Sequence, residues 1–419
     1  MGAPALPGNW DGLVVVCGTT PWHGNRFCDQ HIAEQLTRFA PVLYVDPPVS
    51  PVEARRDPAA ARRWRELGLV LERPGLARLT PPAPPGKERP GIKPVTVSLT
   101  RAAMARATRR LGARRVAAVI VPSLNRLFGA CGEQRRVFYA KDDYVAGAEL
   151  MATVPRRLRR RERLQPAAAD LVVAVSPVLA ERYRRSGHEV LFLPSGCDAP
   201  RFAATDDTPL PADVGHAGAV AGFVGHLSDR VDVALLEAIA DRDADRGADR
   251  GAGRGADGGY ELLLVGDRQA SCDANRFASL LARPNVRWVG PRPFAALPGY
   301  LRAVRVGLVP YTDSAFNRAS FPLKTLEYLA AGRAVVATDL PAIRWLDSEH
   351  VRVARRAAEF VDAVDAAVRV PLSPALVAAR RAFAARHSWS ARGERLAAAM
   401  GLTPGAAVRP LASVGGEIG

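Results

Sequence analysis

Short, largely apolar runs alternate with helix-length amphipathic segments along almost the whole of this chain, and few folds accommodate that alternation. Residues 13–18 (LVVVCG), 42–45, 117–122, 136–140, 171–176 and 190–194 supply such runs in the first half. Residues 221–225, 260–265 (YELLLV), 286–289, 306–310 and 334–338 supply them in the second. A run apolar on both faces belongs to a parallel sheet, because crossover connections cover each face with helices. Residues 30–39 and 231–240 read as two of those helices. A chain of 419 residues has length for two domains, each with a full core. The pattern predicts an α/β chain of two doubly wound, Rossmann-like domains, with ligands at the carboxyl ends of the strands. The expected division is 1–205 and 206–387, facing a cleft, with a C-terminal helix at 388–401 crossing back and a frayed tail at 402–419.

The densest local signal is SFPLKTLEYLAAGRAVVATD at residues 320–339. It reads as a loop, a short helix over 322–331 and a buried strand over 334–338. Pro322 suits a first helical turn, where its missing N–H has no intrahelical partner. Gly332 suits the left-handed position that ends a helix. The opening turn is expected to leave the N–H groups of Leu323, Lys324 and Thr325 free at the positive end of the helix dipole. Lys324 reinforces the resulting anion site. Glu327, one turn further in, puts a carboxylate within reach of two ribose hydroxyls beside a bound diphosphate. The same spacing also suits an amphipathic helix that merely covers a parallel strand.

The stretch resembles the donor-binding motif of retaining GT-B glycosyltransferases, in the large family four (glycosyltransferase group 1) of that class. In these enzymes two glutamates separated by seven residues flank a helix start, and the second holds the nucleotide ribose. Glu327 matches the second glutamate, whereas the first falls at Ala319. A subgroup with the pattern PLK-x-x-EYLAAG-x-x-VV, similar to teichuronic-acid and exopolysaccharide glycosyltransferases, is the nearest likeness. The resemblance runs over residues 12–395, is strongest over 222–346 and is thin over 50–115. It implies a GT-B fold and transfer of a sugar, with retention, from a UDP- or GDP-linked donor to a glycan or lipid-linked acceptor. No metal and no cofactor is implied. Arg230, Lys324 and Glu327 are the implied catalytic groups, with Pro322, Leu323 and Thr325 beside them on the donor.

Four smaller constellations take roles from the same likeness. The loop from Gly225 through His226 to Arg230 supplies basic side chains to the donor diphosphate in relatives. His226 stands where many carry Arg, and Arg230 stands near their Lys. A guanidinium clamps phosphate oxygens in two-pronged fashion, although Arg230 also suits a solvated helix start. The turn Gly266-Asp267 is implied to line the nucleotide pocket through its backbone, and Pro291 and Arg292, in GPRP, to meet the base. In the first half, Trp22, His23 and Arg26 form one acceptor-side group, and Asp142, Asp143 and Tyr144 another. Both follow strand runs and offer the planar surface, imidazole and carboxylates that bind sugar hydroxyls. The paired aspartates lack a third carboxylate or His, so no metal site is expected. One of them alternatively caps a helix.

Charge is unevenly spread. Residues 1–205 hold 32 Lys+Arg against 18 Asp+Glu (32 − 18 = +14), which leaves +2 of the total +16 for residues 206–419. Arg156, Arg157, Arg159, Arg160, Arg161 and Arg163 crowd one helix. Such a face docks on anionic lipid at ~1 kcal/mol per Arg, or simply decorates a solvated helix. Nothing resembles a groove-reading or base-stacking module, so no nucleic acid is expected. Five scattered cysteines without a CxxC pair suit a reducing compartment. With no signal-peptide start and no apolar run of ~18 residues, a cytoplasmic enzyme, peripheral on the inner membrane face, is the expectation. The Gly/Ala/Asp/Arg tract 241–259 reads as a mobile insert, and the Pro-rich stretch 81–94 as an extended loop. Two alternatives stand beside the transferase: a GT-B sugar-nucleotide epimerase, and a degenerate nucleotide-sugar-binding subunit, which the missing glutamate at Ala319 permits.

Overall fold

Most of the apolar runs become strands that bury both of their faces, the edge strands excepted. Leu13, Val14 and Val15 are inaccessible to solvent, as are Leu262, Leu263 and Leu264. The computed structural model describes residues 7–24, 26–148, 155–214, 219–248 and 260–403. They fall into two compact α/β units, one formed by Met1–Ala174, Leu179–Leu193 and Arg392–Gly419, the other by Val175–Val178 and Pro194–Ala391. The second unit thus begins at Pro194, ahead of the expected position 206. Its opening helix, Ala199–Ala203, buries Phe202 in that unit's core. The helix Trp389–Ala399 straddles the other boundary at Arg392.

The first unit's sheet holds β1 (Leu13–Cys17), β2 (Val42–Val45), β3 (Gly68–Arg73), β4 (Leu76–Thr80), β5 (Val116–Val121), β6 (Arg135–Ala140), β7 (Leu171–Ala174) and β8 (Val190–Phe192). Among the described residues their order is β3-β4-β2-β1-β5-β6-β7-β8. All pairings are parallel except the β3–β4 hairpin. That hairpin lies in the stretch where the sequence pattern was weakest, since β3 is only half-buried and carries Glu72 and Arg73. Residues 81–84 run extended, with Pro82 bridging Val49, residues 85–92 form turns instead, and the helix Lys93–Leu111 follows directly. The first crossover helix runs Cys28–Leu36, starting ahead of residue 30 because the Gln30 side chain accepts the Phe27 N–H at 3.0 Å.

The second unit's sheet contains β9 (Ala219–Val224), β10 (Tyr260–Val265), β11 (Val286–Gly290), β12 (Val306–Val309), β13 (Ala334–Thr338) and β14 (Val351–Ala354). Its order is β11-β10-β9-β12-β13-β14, parallel throughout. Edge strand β14 was not legible as a strand, because Arg352 and Val353 in its middle face solvent. The helix Val233–Ala248 carries straight into the supposed mobile insert and corrects it over residues 241–248. Ala, Arg and Asp sustain a helix once it is nucleated. Asp241 accepts two bonds from Arg283, at 2.6 and 2.8 Å, and Arg242 donates to Asp362 at 2.9 Å. The rest of the insert, 249–259, and the tail from 404 lie outside the described residues. Among the described residues no helix is long and apolar enough to cross a membrane.

Candidate functional site

Strand order locates the place where the second unit can hold a ligand. From β9 the chain proceeds outward through β10 to β11, then returns to β12 on the other side of β9. A ligand crevice opens at such a reversal, outside the carboxyl ends of the two strands. β9 and β12 pair only at Val306 with Ala221 and Gly307 with Gly222, so they part beyond Gly222. Tyr328 fills the gap. A Cβ on Gly307 would lie 2.2 Å from its ring, which is why that strand position is glycine. Its phenol oxygen accepts the Val224 N–H at 2.8 Å. Burial pushes that phenol well above its ordinary pKa, so it remains a neutral hydroxyl. The last residue of β9 is thereby tied to the residue that follows Glu327.

The loop after β9 is held on its other side by the loop after β10. Gly225 donates to the Val265 carbonyl at 2.9 Å, Leu227 to Asp267 at 2.9 Å and Gln269 to Leu227 at 2.8 Å. Gly266 has φ +144°, and a Cβ there would stand 1.8 Å from the Gly225 carbonyl oxygen. Only glycine allows the two loops to meet this closely. The half-exposed imidazole of His226 contacts the Asp267 carboxylate. Asp267 therefore acts through its side chain as well as its backbone.

Arg230, at the end of the same loop, is firmly placed. Its Nε donates to Asn317 Oδ1 at 2.9 Å, and its guanidinium lies 5.2 Å from the Tyr311 ring centre and 4.9 Å from that of Phe316. The buried Asn317 amide in turn donates to the Arg230 carbonyl at 2.9 Å and to Thr312 at 3.0 Å. Among the described residues no carboxylate meets the two terminal nitrogens of Arg230. A cation oriented on aromatic faces with both terminal nitrogens unspent suits an anionic ligand.

Lys324 and Glu327 form the other half of the group. Lys324 Nζ lies 2.6 Å from Glu327 Oε2, with Glu327 buried and Lys324 partly exposed. An ammonium carries three donors, so Lys324 can hold Glu327 and a phosphate oxygen together. Thr325 is fully buried, and its hydroxyl has no partner among the described residues. Glu327 Oε1 and this hydroxyl are the unspent polar atoms of the turn. The expected row of free N–H groups is not present. The helix begins at Lys324 rather than Pro322, Leu323 donates to Phe321 at 2.9 Å, and Thr325 donates to Pro322 at 3.1 Å. Pro322 and its neighbour Phe321 bend the chain into a tight turn that consumes the Leu323 and Thr325 donors locally. Gly332 does end the helix, at φ +79°. Ala319 is fully buried in the helix Ala315–Ala319.

The remaining donor-side candidates divide. Gly290 accepts the Gly266 N–H at 2.9 Å, which brings the start of GPRP to the loop cluster, with Pro291 exposed next to it. The Arg292 side chain is committed elsewhere, to Asp213 at 2.6 Å and the Tyr300 hydroxyl at 2.6 Å.

In the first unit the acceptor-side candidates do not form one group. The Trp22 ring packs 5.1 Å from Tyr44, and the Trp22 backbone N–H donates to buried Asp46 at 2.8 Å. His23 faces Glu72 at 3.2 Å, and Arg26 pairs with Glu34. Asp143 and Tyr144 are corrected to frame residues. Asp143 accepts the Val145 and Ala146 N–H groups and pairs with Arg182, and the buried Tyr144 hydroxyl donates to the Pro122 carbonyl. Asp142 stays half-buried beside them. Lys141, not singled out as a site residue, reaches Thr19 and the buried Asp29 carboxylate, 3.3 Å away. Asn317, Tyr311 and Tyr328 were likewise missed, because each looks like ordinary core or loop until the strands part.

Three comparisons with known proteins bear on this geometry. Residues 219–369 match the family model described as Glycosyl transferases group 1. TuaH of Bacillus subtilis strain 168, provisionally assigned as a teichuronic acid biosynthesis glycosyltransferase, is 30% identical over 158 residues, 38% of this chain and 36% of that protein. The chain thus spans about a third of that relative's length. Sucrose-phosphate synthase from Thermosynechococcus elongatus superposes with a TM-score of 0.68 at 16% identity, covering 92% of this chain and 98% of its own. Anabaena HepE, solved with UDP and glucose, superposes with a TM-score of 0.60 at 13% identity, covering 93% and 99%. The fold is that of the GT-B proteins.

Proposed function

We propose that this chain, a group 1 glycosyl transferase by its residues 219–369 and a GT-B protein by its fold, moves a sugar from a nucleotide diphosphate sugar to a hydroxyl acceptor with retention. The observations that carry the reading are the Arg230 guanidinium, oriented by Asn317, Tyr311 and Phe316, and the Lys324–Glu327 pair, whose next residue Tyr328 is tied to the end of β9. Glu327 Oε1 takes the ribose hydroxyls. Lys324 and the terminal nitrogens of Arg230 meet the diphosphate. As the bond from the sugar to the diphosphate breaks, negative charge grows on the departing phosphate, and these preplaced cations stabilise it. The acceptor oxygen enters on the same face, its proton passing to a phosphate oxygen of the leaving group. No metal and no cofactor takes part in this scheme. HepE, which holds UDP, favours a UDP-linked donor over a GDP-linked one.

The experiment is a thermal-stability screen of the purified protein against UDP-, GDP- and ADP-sugars, since a ligand at ~100 times its dissociation constant adds ~2.7 kcal/mol. A shift with one nucleotide class, followed by release of that nucleotide with an acceptor mixture, supports the reading. No shift with any of them defeats it.

The acceptor side of the reading places the enzyme on an anionic membrane surface, handling a lipid-linked or cell-envelope glycan. The support is the helix Pro155–Ala167, where Arg159, Arg160 and Arg163 are exposed beside an exposed Leu164 and Arg161 is half-buried. The side chains of Arg156 and Arg157 lie outside the described residues. Co-sedimentation with anionic vesicles at low salt, lost when Arg159, Arg160, Arg161 and Arg163 are changed to Gln, is the check. A wild-type protein that ignores such vesicles removes this part. A second reading, a nucleotide-sugar-binding partner without turnover, draws on the buried Ala319 at the place of the family's first glutamate. Donor binding without transfer or hydrolysis would favour it.

A further inference from the structure

The first unit has a reversal of its own. β1 leads outward through β2, and the chain returns to β5 on the other side of β1. A cavity of about 190 Å³ opens there, outside the carboxyl ends of the strands. Gly18 and Thr19 after β1, Pro47 and Pro48 after β2, and Ser123 and Asn125 after β5 form its floor. Thr96, Val97 and Thr100 of the helix Lys93–Leu111 form one wall, with Lys87, Glu88 and Lys93 at its edge. Trp22, His23, Arg26, Asp142, Asp143 and Tyr144 are not among its lining residues.

The charge of this cavity is already balanced. Lys87 pairs with Glu53 at 2.7 Å and donates to the Pro48 carbonyl at 2.6 Å, while Lys93 pairs with Glu88 at 2.7 Å. Asp46, also in the lining, faces Arg78 at 3.4 Å and accepts from Thr80 at 2.9 Å. The start of the Lys93–Leu111 helix offers no spare N–H row for an anion. Lys93 donates to Arg89 at 2.8 Å, Pro94 has no N–H, and Thr96 donates to Ile92 at 3.1 Å. Apart from the remaining N–H donors of the two paired lysines, what is unspent is neutral. The Asn125 side-chain amide has no partner among the described residues, and the Ser123 hydroxyl only accepts, from the Asn125 N–H at 3.4 Å. The Thr96 hydroxyl donates to the Lys87 carbonyl at 3.2 Å and the Thr100 hydroxyl to the Thr96 carbonyl at 2.9 Å, and both keep lone pairs to accept with. Val45, Val97, Pro47, Pro48 and Leu127 supply aliphatic surface between them.

We infer that this cavity binds one neutral, polyhydroxylated ring, a single uncharged sugar or cyclitol unit. Amide and hydroxyl groups exchange hydrogen bonds with ring hydroxyls, and prolyl and aliphatic faces cover the ring's C–H surface. The volume, below the ~300–1,000 Å³ usual for drug-sized ligands, fits one ring rather than an oligosaccharide. A phosphate or carboxylate would face Asp46, Glu53 and Glu88 as well as the two lysines, and so gains no net charge attraction there. As the acceptor unit of the reaction, this ligand class rests on the transferase reading. As a binding site, it stands without it.

The test is ligand-observed NMR and thermal shift on the full chain with methyl glucoside, methyl galactoside, methyl N-acetylglucosaminide, free glucose, myo-inositol, glucose 6-phosphate and inorganic phosphate. At least one neutral compound should bind saturably, and its phosphorylated form should bind no more than threefold tighter. Asn125→Leu, which places a branched apolar group at the cavity floor, should weaken that binding more than tenfold with UDP binding unchanged. Thr100→Val serves the same purpose if Asn125→Leu does not fold. Binding of the free sugar alone marks a monosaccharide ligand, and equal binding of its glycosides marks the end of a longer glycan. No neutral compound binding at tens of millimolar, a phosphorylated compound binding more than tenfold tighter, or an Asn125→Leu protein that binds like wild type would each overturn the inference. Loss of UDP binding with the ring site intact counts instead against the transferase reading.

Discussion

Replacing Glu327 by Ala separates the two halves of the donor site. The carboxylate is buried and its Oε2 is held by Lys324 at 2.6 Å, which leaves Oε1 to accept from a ribose. Hydrogen bonds to a charged acceptor are worth ~1.5–3 kcal/mol, so UDP should bind about 10- to 100-fold more weakly at ~1.4 kcal/mol per tenfold. Pyrophosphate should respond in the opposite sense. Lys324 loses its neutralising partner, and its freed ammonium has one more donor for phosphate. The fold should survive, because Lys324 is 23% exposed and turns to water. Calorimetric titration of the variant with UDP, uridine and pyrophosphate, beside a thermal melt that reports folding, reads all of this. Unchanged UDP affinity in a folded Glu327→Ala protein would refute the ribose role. Equal losses for UDP and pyrophosphate would show that Glu327 acts only by orienting Lys324.

Three further outcomes are expected. Arg230→Met should lower kcat more than it raises donor KM, because the cation meets charge that grows in the transition state; steady-state kinetics that show a KM effect alone would reduce it to an anchor. Gly266→Ala should cost about 3–5 kcal/mol, strain at φ +144° adding to the clash with the Gly225 carbonyl, and should abolish UDP binding, as read by denaturant unfolding and titration. Asp206→Asn should lower Tm at neutral pH, since it strips the buried Arg333 of its carboxylate. The cost is about 1–2 kcal/mol, below the buried-pair range because Asp206 is 45% exposed. Burial alone would raise the Asp206 carboxyl, but the bonds from Arg333 and Arg381 outweigh it and hold it below the usual carboxylate range. Its stabilisation is therefore present above the ordinary pKa of ~3.9 and lost as pH falls through the lower folded value, so wild type and variant should converge below about pH 4.

How much could be read in advance depended on whether the signal was local. Both parallel sheets were legible, because LVVVC and the LLLV of YELLLV are apolar at every position and only a strand covered on two faces buries all of them. That Lys324 and Glu327 share one helix turn was legible, because an i,i+3 spacing is set by local geometry alone. Gly332 was legible for the same reason, as a helix end that needs positive φ. The β3–β4 hairpin and β14 were not, since edge strands alternate or mix polarity and resemble loops. The site's remaining parts depend on contacts between residues far apart in the chain. Tyr328 reads as one more core aromatic until β9 and β12 part and its hydroxyl takes the Val224 N–H. Arg230 becomes an oriented cation only when Asn317, 87 positions away, and two rings close on it. Asp143 and Tyr144 had the right chemistry for a sugar, and the fold turned both side chains to its own frame. Residue type and periodicity set which segments become strand or helix, because those preferences act within a turn or a pleat. Which polar atoms are left unspent for a ligand is decided only after every long-range hydrogen bond has been made.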